Sequence, residues 1–263
     1  MDEASALSSN VVAWLSEQNF RGWLPILGRV DGAHVEEVEG CTRWTSAVPL
    51  PLFNGVLGAP VGADIEGAID RVLEPFDHRR LPLLWVAAPP ADLNRPLAAR
   101  GFEIDPVPAM AMNLRALPSV VPLDGVTIRP VDDDPQGLSA AANIGFTTNG
   151  FPPFAGEACL RALERSPERS AVRTYLAEAG GEPAAASVLL TAAGVAGLYN
   201  VGTLPTFRGR GIGRAVSLVA LHAGRSDGVE TGVLQATAMG APVYRAIGFQ
   251  EQCRFMFASR SST

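Results

Sequence analysis

Apolar residues along this chain alternate between helical spacing and short continuous runs, a pattern typical of a sheet covered by helices. Residues 5 to 20 show helical spacing, and so do residues 64 to 73, which come shortly before the compact apolar run 83–88. The first half therefore predicts an opening helix that leads to strands, then a second helix and a buried strand.

The second half predicts one mixed sheet with helices around it. The expected strands are 126–131, 172–178, 184–192, 196–203, 231–236 and 252–258, and the expected helices lie within 135–166, from 211 onward and at 240–247. A stretch without periodicity, from Leu114 to Gly125, holds two prolines and separates the two patterns. We expect a linker there, between one domain at 1–118 and another at 119–263.

The two halves contain a similar segment. Residues 97–102 (Leu-Ala-Ala-Arg-Gly-Phe) align without gaps with residues 244–249 (Tyr-Arg-Ala-Ile-Gly-Phe), and an alternating apolar strand follows each of them. The alignment predicts a degenerate tandem repeat. The alternative is that a helix closed by glycine in a left-handed turn, followed by a strand, is a common local solution.

A glycine-rich basic loop follows the strand predicted at 196–203. Gly209, Gly211 and Gly213 let the backbone approach a ligand closely, and the helix that follows offers free amides and the positive end of its dipole. These features favour a pyrophosphate, although such a loop can also be a plain surface turn. The Walker loop and the dinucleotide fingerprint are both excluded, because the required residue order is missing.

The order Arg-x-x-Gly-x-Gly at 208–213, after Val-x-Thr-x-Pro at 201–205, resembles the acyl-CoA pyrophosphate loop of the GNAT superfamily of N-acyltransferases. Residues 234–237 and 244–249 look like the second GNAT motif at the expected distance. The resemblance covers about 126–258. It implies an α/β fold with a mixed sheet that is splayed between its fourth and fifth strands to admit pantetheine. With the repeat, it implies two tandem GNAT-like domains.

The resemblance also assigns roles. It implies acetyl-CoA as the acyl donor and no metal, with the pyrophosphate on the loop amides, pantetheine along the strand end and a polar CoA contact at Thr237. Arg208 either braces the loop or touches phosphate. The predicted CoA-binding residues are Val201, Gly202, Thr203, Arg208, Gly209, Arg210, Gly211, Ile212, Gly213, Arg214 and Thr237.

Tyr244 is the predicted general acid. When an amine attacks the thioester carbonyl, the departing thiolate needs a proton, and a nearby phenol can supply it. A backbone amide near Val201 or Gly202 would stabilise the oxyanion. The alternative for Tyr244 is a purely structural core aromatic.

The general base is not evident. Residues 192–207 contain no Asp, Glu or His, so a water chain, Glu157 or Glu178 remain open as alternatives. His222, on the helix after the loop, is expected to be structural. The segment 146–154, rich in phenylalanine, proline and turn residues, is expected either to shape the acceptor pocket or to pack its aromatic rings inward.

The first half lacks the features of a CoA site. Where the loop should lie, residues 56–67 carry Asp64 and Glu66 but no arginine, and Leu97 replaces the tyrosine. We therefore expect one acyl-CoA site per chain, with the first half covering one side of the acceptor site.

Charge and cysteine content narrow the function further. All 21 basic residues are arginine, without a dense run, and the net charge is -6, which argues against nucleic acid and favours a cationic amine. Cys41, Cys159 and Cys253 show no metal-type spacing and are expected to be reduced, buried thiols. The acidic start and the absence of a long apolar run predict a soluble, cytoplasmic protein without a membrane partner, as a monomer or homodimer.

The predicted function is therefore an N-acetyltransferase that acts on a primary amine of a small molecule or peptide. The alternative is a non-catalytic acyl-CoA-binding sensor, which the missing base favours and Tyr244 disfavours.

Overall fold

The structure is a computed structural model that describes residues 9–30, 32–89 and 91–261, so residues 5–8 of the predicted opening helix lie outside the described residues. In chain order the helices and strands are α1 (Ser9–Leu27), β1 (His34–Val38), β2 (Cys41–Thr45), β3 (Gly55–Leu57), α2 (Ile65–Arg79), β4 (Leu83–Ala87), α3 (Asn94–Ala98), β5 (Glu103–Asn113), β6 (Val126–Pro130), α4 (Pro135–Thr148), α5 (Pro153–Glu164), β7 (Val172–Ala179), β8 (Glu182–Ala192), β9 (Val195–Thr203), α6 (Ile212–Ser226), β10 (Thr231–Gln235), α7 (Ala241–Ile247) and β11 (Gln250–Arg260).

The chain forms two compact units, Met1–Ala109 with Glu251–Thr263, and Met110–Gln250. In the first unit, β1, β2 and β3 pair antiparallel in sequence, β3 pairs parallel with β4, and β4 pairs antiparallel with β11. Helix α2 buries Ile69, Val72 and Phe76 in the core that also holds Trp85. The apolar spacing of α2 is therefore that of a helix packed on a sheet.

In the second unit, β6, β7, β8 and β9 form an antiparallel series and β9 pairs parallel with β10. Helix α6 buries Ile212, Val216 and Leu221 on one face of this sheet. Helix α4 buries Ile144 in a separate cluster with Leu176, on the other face. The predicted mixed α/β fold is confirmed.

The segment predicted as a linker packs into the second unit. Leu114 is fully buried, its amide donates to the Glu230 carbonyl at 2.7 Å, and Leu117 is buried in the same core. The last strand, by contrast, belongs to the first unit, where Met256 to Arg260 pair with β4. The predicted domain boundary between residues 118 and 119 stays a prediction. The compact units divide the chain after Ala109 and again after Gln250.

The two similar segments close their helices in the same way. The Phe102 amide donates to the Leu97 carbonyl at 3.2 Å, and the Phe249 amide donates to the Tyr244 carbonyl at 3.0 Å. The glycine before each phenylalanine has positive φ, and an 11-residue strand follows each segment. This shared geometry supports the tandem arrangement.

The three cysteines are free. Burial raises the pKa of Cys41 and of Cys159 to about 12, so both stay protonated near neutral pH, whereas Cys253 is only half-buried. The expectation that all three are buried is thus wrong for Cys253. None of the helices in the described residues is long and apolar enough to cross a membrane.

Candidate functional site

Strands β9 and β10 separate toward their carboxyl ends. Their parallel pairing joins Ala196 and Gly197 to Gly232 and Val233, at the start of both strands, although β9 continues to Thr203. The stretch beyond these paired positions, which we call the wedge, lies where the splay is predicted.

A bulge interrupts β9 next to this wedge. The register between β8 and β9 shifts between Ala186 and Val188, and Asn200, on the facing stretch of β9, has a φ of 45°. Such bulges re-aim backbone groups and occur beside active sites. The bulge therefore turns amides near Val201 out of regular sheet pairing.

Helix α4 presses directly on the bulge. A Cβ at Gly145 would lie 2.9 Å from the Asn200 carbonyl oxygen, and a Cβ at Gly202 would overlap Thr148 Oγ1 and lie 3.0 Å from the Ile144 carbonyl oxygen. Only glycine permits this approach of helix to strand. The two glycines fix the position of the strand end.

The glycine-rich loop has the backbone that its sequence predicts. Gly209 and Gly211 have φ of 76° and 78°, and Gly211 is the N-cap of α6. A Cβ placed at Gly209 would have no heavy atom within 4 Å among the described residues beyond its chain neighbours. The first-turn amides of an α-helix have no intrahelical acceptors. Residues 195–226 contain no Asp or Glu, so no carboxylate from this segment occupies the helix start.

The arginines of the loop are exposed and brace it. Arg208 Nε donates to the Thr203 carbonyl at 3.1 Å, and the Arg210 guanidinium lies 5.7 Å from the centre of the Phe207 ring. A Cβ at Gly213 would lie 2.7 Å from Thr203 Oγ1, so the strand end and the helix start are in close contact. Arg208 thus has the bracing contact that one of its two predicted roles requires.

Tyr244 lies at the edge of the second unit's core. Its ring packs edge-on against Phe249 at 6.0 Å, and burial raises the pKa of its phenol above the ordinary value of 10.0. A phenol that stays protonated can act as an acid at any pH near neutrality.

The other predicted residues have structural contacts as well. Thr237 Oγ1 accepts from the Gly240 amide at 3.1 Å, and the Val201 carbonyl accepts from Asn149 Nδ2 at 3.4 Å. Ile212 is buried, so its backbone amide is the group that it can offer to a ligand. His222 Nε2 lies 2.9 Å from the Pro118 carbonyl oxygen, in agreement with a structural role.

The contacts of the two candidate bases, Glu157 and Glu178, favour neither of them. Glu157 is exposed with Arg161 Nη1 3.9 Å from its carboxylate, and Glu178 is 3.3 Å from Arg129 Nε. No group of three or more side chains suited to a metal ion occurs within residues 9–30, 32–89 and 91–261.

The aromatic segment divides between its two expected roles. Phe146 is fully buried and packs against Phe151 at 5.8 Å, whereas Phe154 is 45% exposed. The Phe146 ring therefore belongs to the core, whereas the Phe154 ring is accessible to a ligand.

The corresponding helix start in the first unit is already occupied. Asp64 is the N-cap of α2, and its Oδ1 accepts from the Gly67 amide at 3.0 Å. Glu66 and Asp70 both pair with Arg100, at 2.6 and 2.7 Å. Carboxylates thus satisfy the positive end of α2 from within the chain.

Two features of the site were missed by the sequence reasoning. The bulge at Asn200 had a weak signal, a polar residue inside an otherwise apolar strand. The burial of the Gln235 side chain had none, since it depends on what surrounds β10.

Comparison with known proteins identifies the second unit. Residues 136–234 match the sequence model of the acetyltransferase (GNAT) domain. The chain contains a GNAT acetyltransferase domain. The predicted family is thereby confirmed, and the match supports the prediction of an acyl-CoA-dependent N-acetyltransferase. No match was found among curated proteins.

Solved structures share the GNAT fold over nearly the whole chain. A GCN5-related N-acetyltransferase from Kribbella flavida is 17% identical, with a TM-score of 0.69 over 97% of this chain and 96% of its own. A functionally unknown conserved protein from Staphylococcus epidermidis is 15% identical, with a TM-score of 0.65 over 89% and 96%. A tandem GNAT protein from the clavulanic acid biosynthesis pathway is 14% identical, with a TM-score of 0.60 over 98% and 97%. Both units are therefore part of the shared fold.

Proposed function

We propose that this protein transfers an acetyl group from acetyl-CoA to a primary amine of a small molecule or peptide, by direct attack of the amine and with Tyr244 as general acid. The observation that carries the proposal is the start of α6, where a left-handed glycine N-cap opens toward solvent at the end of the splayed strand β9.

The loop has the chemistry of a pyrophosphate site. The first-turn amides and the helix dipole attract an anion, and Arg208, Arg210 and Arg214 add positive charge nearby. We assign the pyrophosphate of acetyl-CoA to the backbone from Gly209 to Arg214. The pantetheine arm would then follow Val201 to Thr203 into the wedge.

The reaction needs one proton donor and one proton acceptor. The amine nitrogen bonds to the acetyl carbon, the carbon–sulfur bond breaks, and the proton that the amine loses balances the one that the thiolate gains. Tyr244 would supply the thiolate's proton, because its raised pKa keeps the phenol protonated until then. We assign the amine's proton to solvent, since residues 192–207 contain no Asp, Glu or His.

The amides released by the bulge would stabilise the oxyanion. A β-bulge leaves Asn200 and Val201 without a partner in the β8 register, and α4 packs against Asn200 at Gly145. Fixed donors of this kind stabilise a charge that develops in the transition state, typically by about 3–4 kcal/mol per donor.

The test is a panel of amines assayed for thiol release from acetyl-CoA. The panel should include small primary amines, amino acids and peptides with free amino groups, each against a reaction without amine. Amine-dependent thiol release with formation of the N-acetyl product supports the proposal. Tight binding of acetyl-CoA without turnover of any amine would instead identify a sensor.

A further inference from the structure

The carboxamide of Gln235 is buried without a hydrogen-bond partner. Both Nε2 and Oε1 are shielded from solvent, and neither has a partner among the residues that the structure describes. Exchanging the positions of Nε2 and Oε1 would not supply a hydrogen bond, because both atoms lack a partner. A buried donor and acceptor left unpaired are costly and therefore rare in folded proteins.

Gln235 lies where the wedge begins. Val233 is level with Gly197 in the parallel register, so Gln235 is level with Tyr199, two residues beyond the last paired position. It is also the last residue of β10. Its Cα therefore stands at the vertex of the opening between β9 and β10.

The side chain points to the face of the sheet on which α4 lies. Leu234 belongs to the core under α6, and a Cβ at Gly232 would lie 3.4 Å from Leu221 of α6. Since side chains alternate along a strand, Gln235 projects to the opposite face. That face carries the contact of α4 with the bulge at Asn200.

We propose that Gln235 is a further catalytic residue, whose Nε2 donates to the acyl carbonyl oxygen of acetyl-CoA while Oε1 accepts from the attacking amine. The inference rests on the proposed function. A carboxamide offers a donor and an acceptor side by side, and a carbonyl oxygen next to an incoming N–H requires this pair. Ligand binding thereby satisfies two groups that the free protein leaves unpaired.

Both hydrogen bonds strengthen as the reaction proceeds. The carbonyl oxygen gains negative charge and the amine nitrogen gains positive charge, while Gln235 itself transfers no proton. Interactions that are stronger in the transition state than in the ground state raise kcat. Gln235 would thus add a side-chain donor to the backbone donors near Val201.

The test compares acetyl-CoA with CoA, which lacks the carbonyl, by calorimetry on the wild-type protein and the variant Gln235→Met. We expect the wild type to bind acetyl-CoA about 2- to 10-fold more tightly than CoA, the range of one hydrogen bond. In Gln235→Met this preference should disappear while the affinity for CoA is kept. The Tm of the free variant should be unchanged or higher, because an unpaired buried amide is replaced by an apolar side chain of similar size.

Thr191→Val is the matched control. Thr191 Oγ1, on β8, is also buried without a partner among the described residues, but Thr191 pairs with Ala196 at the start of β9, away from the wedge. The control should keep the preference for acetyl-CoA. If Gln235→Met keeps the full preference for acetyl-CoA over CoA, or if its Tm is well below that of Thr191→Val, then Gln235 has only a structural role. A wild-type protein that binds neither ligand would overturn the proposed function and this inference with it.

Discussion

Gly211 carries the most specific conformational demand of the site. Its φ of 78° is in the left-handed region, and it caps the helix at which the pyrophosphate is proposed to bind. We expect Gly211→Val to abolish acetyl-CoA binding without unfolding the protein, because a β-branched residue is strained there and blocks the backbone approach. Calorimetry on the folded variant measures this.

Gly228 provides the control for that variant. It has a φ of 86° just beyond the other end of α6, and a Cβ placed on it would have no described atom within 4 Å apart from its chain neighbours. Gly228→Val should carry a similar strain and a similar loss of Tm, yet bind acetyl-CoA normally. Unchanged binding in Gly211→Val would show that the loop does not hold the pyrophosphate.

Tyr244→Phe should lower kcat by roughly 10²- to 10⁴-fold and leave the Kd for acetyl-CoA nearly unchanged, because it removes only a proton donor. The Tm should change little, since the packing of the ring on Phe249 is kept. Steady-state kinetics with the best amine of the panel, under conditions where chemistry limits the rate, checks this. An unaltered kcat would make Tyr244 a core residue only.

At the residue scale, the backbone was more predictable than the side-chain environment. Glycine at positions 209 and 211 predicts positive φ, because few other residues tolerate that conformation. The structure has positive φ at both positions. The bracing contact of Arg208 and the unpaired amide of Gln235 depend on neighbours that local sequence does not specify.

The contact between α4 and the bulge of β9 gives a prediction about elements. Gly202→Ala would drive a methyl group into Thr148 Oγ1 and toward the Ile144 carbonyl. We expect a loss of roughly 1–3 kcal/mol in the free energy of unfolding, as for other overpacked sites, together with a lower kcat. Urea denaturation and kinetics measure the two effects.

A second substitution tests the cause. Thr148→Ala removes the hydroxyl that the new methyl group meets, so the double variant should recover part of the lost stability. Thr148→Ala alone gives the reference for this cycle. Strictly additive losses would mean that the helix does not press on the strand at this point.

Most helices and strands could be predicted from apolar spacing, because that spacing matches their buried faces. The interpretation of residues 114–125 as a linker stays a prediction, but the packing of this segment could not be predicted from its sequence. Their prolines and lack of periodicity are typical of exposed loops, but Leu114 and Leu117 are buried and the Leu114 amide bonds to Glu230. Such contacts connect residues more than a hundred positions apart and leave no local pattern.

At the scale of the molecule, the pKa values of the buried tyrosines predict the response to alkaline pH. Burial raises the pKa of Tyr175, Tyr199 and Tyr244 above 10.0. Above that pH the unfolded chain releases protons that the folded protein retains, so stability falls as the pH rises. We expect a Tm with little dependence on these groups below about pH 9, and a progressive decrease above about pH 10. A Tm that increases from pH 9 to 11 would contradict the burial of these phenols.

The division of the whole molecule was the least predictable property. The repeat suggested two consecutive domains, yet β11 closes on β4 in the first unit, and Met110 and Leu114 complete the core of the second. A fragment that starts at residue 120 would lack both of these core residues. Strand pairing over such a distance follows from the fold and not from the order of the apolar segments.

We propose that one half of the chain holds acetyl-CoA and that the other does not. The start of α6 is open and flanked by arginines, whereas at the start of α2 Asp64 bonds to the Gly67 amide and Glu66 pairs with Arg100. The direct measurement is a calorimetric titration of the full chain with acetyl-CoA. We expect one equivalent bound per chain, which is lost in Gly211→Val and retained in Asp64→Ala. Two equivalents per chain, or a site that persists in Gly211→Val, would contradict it.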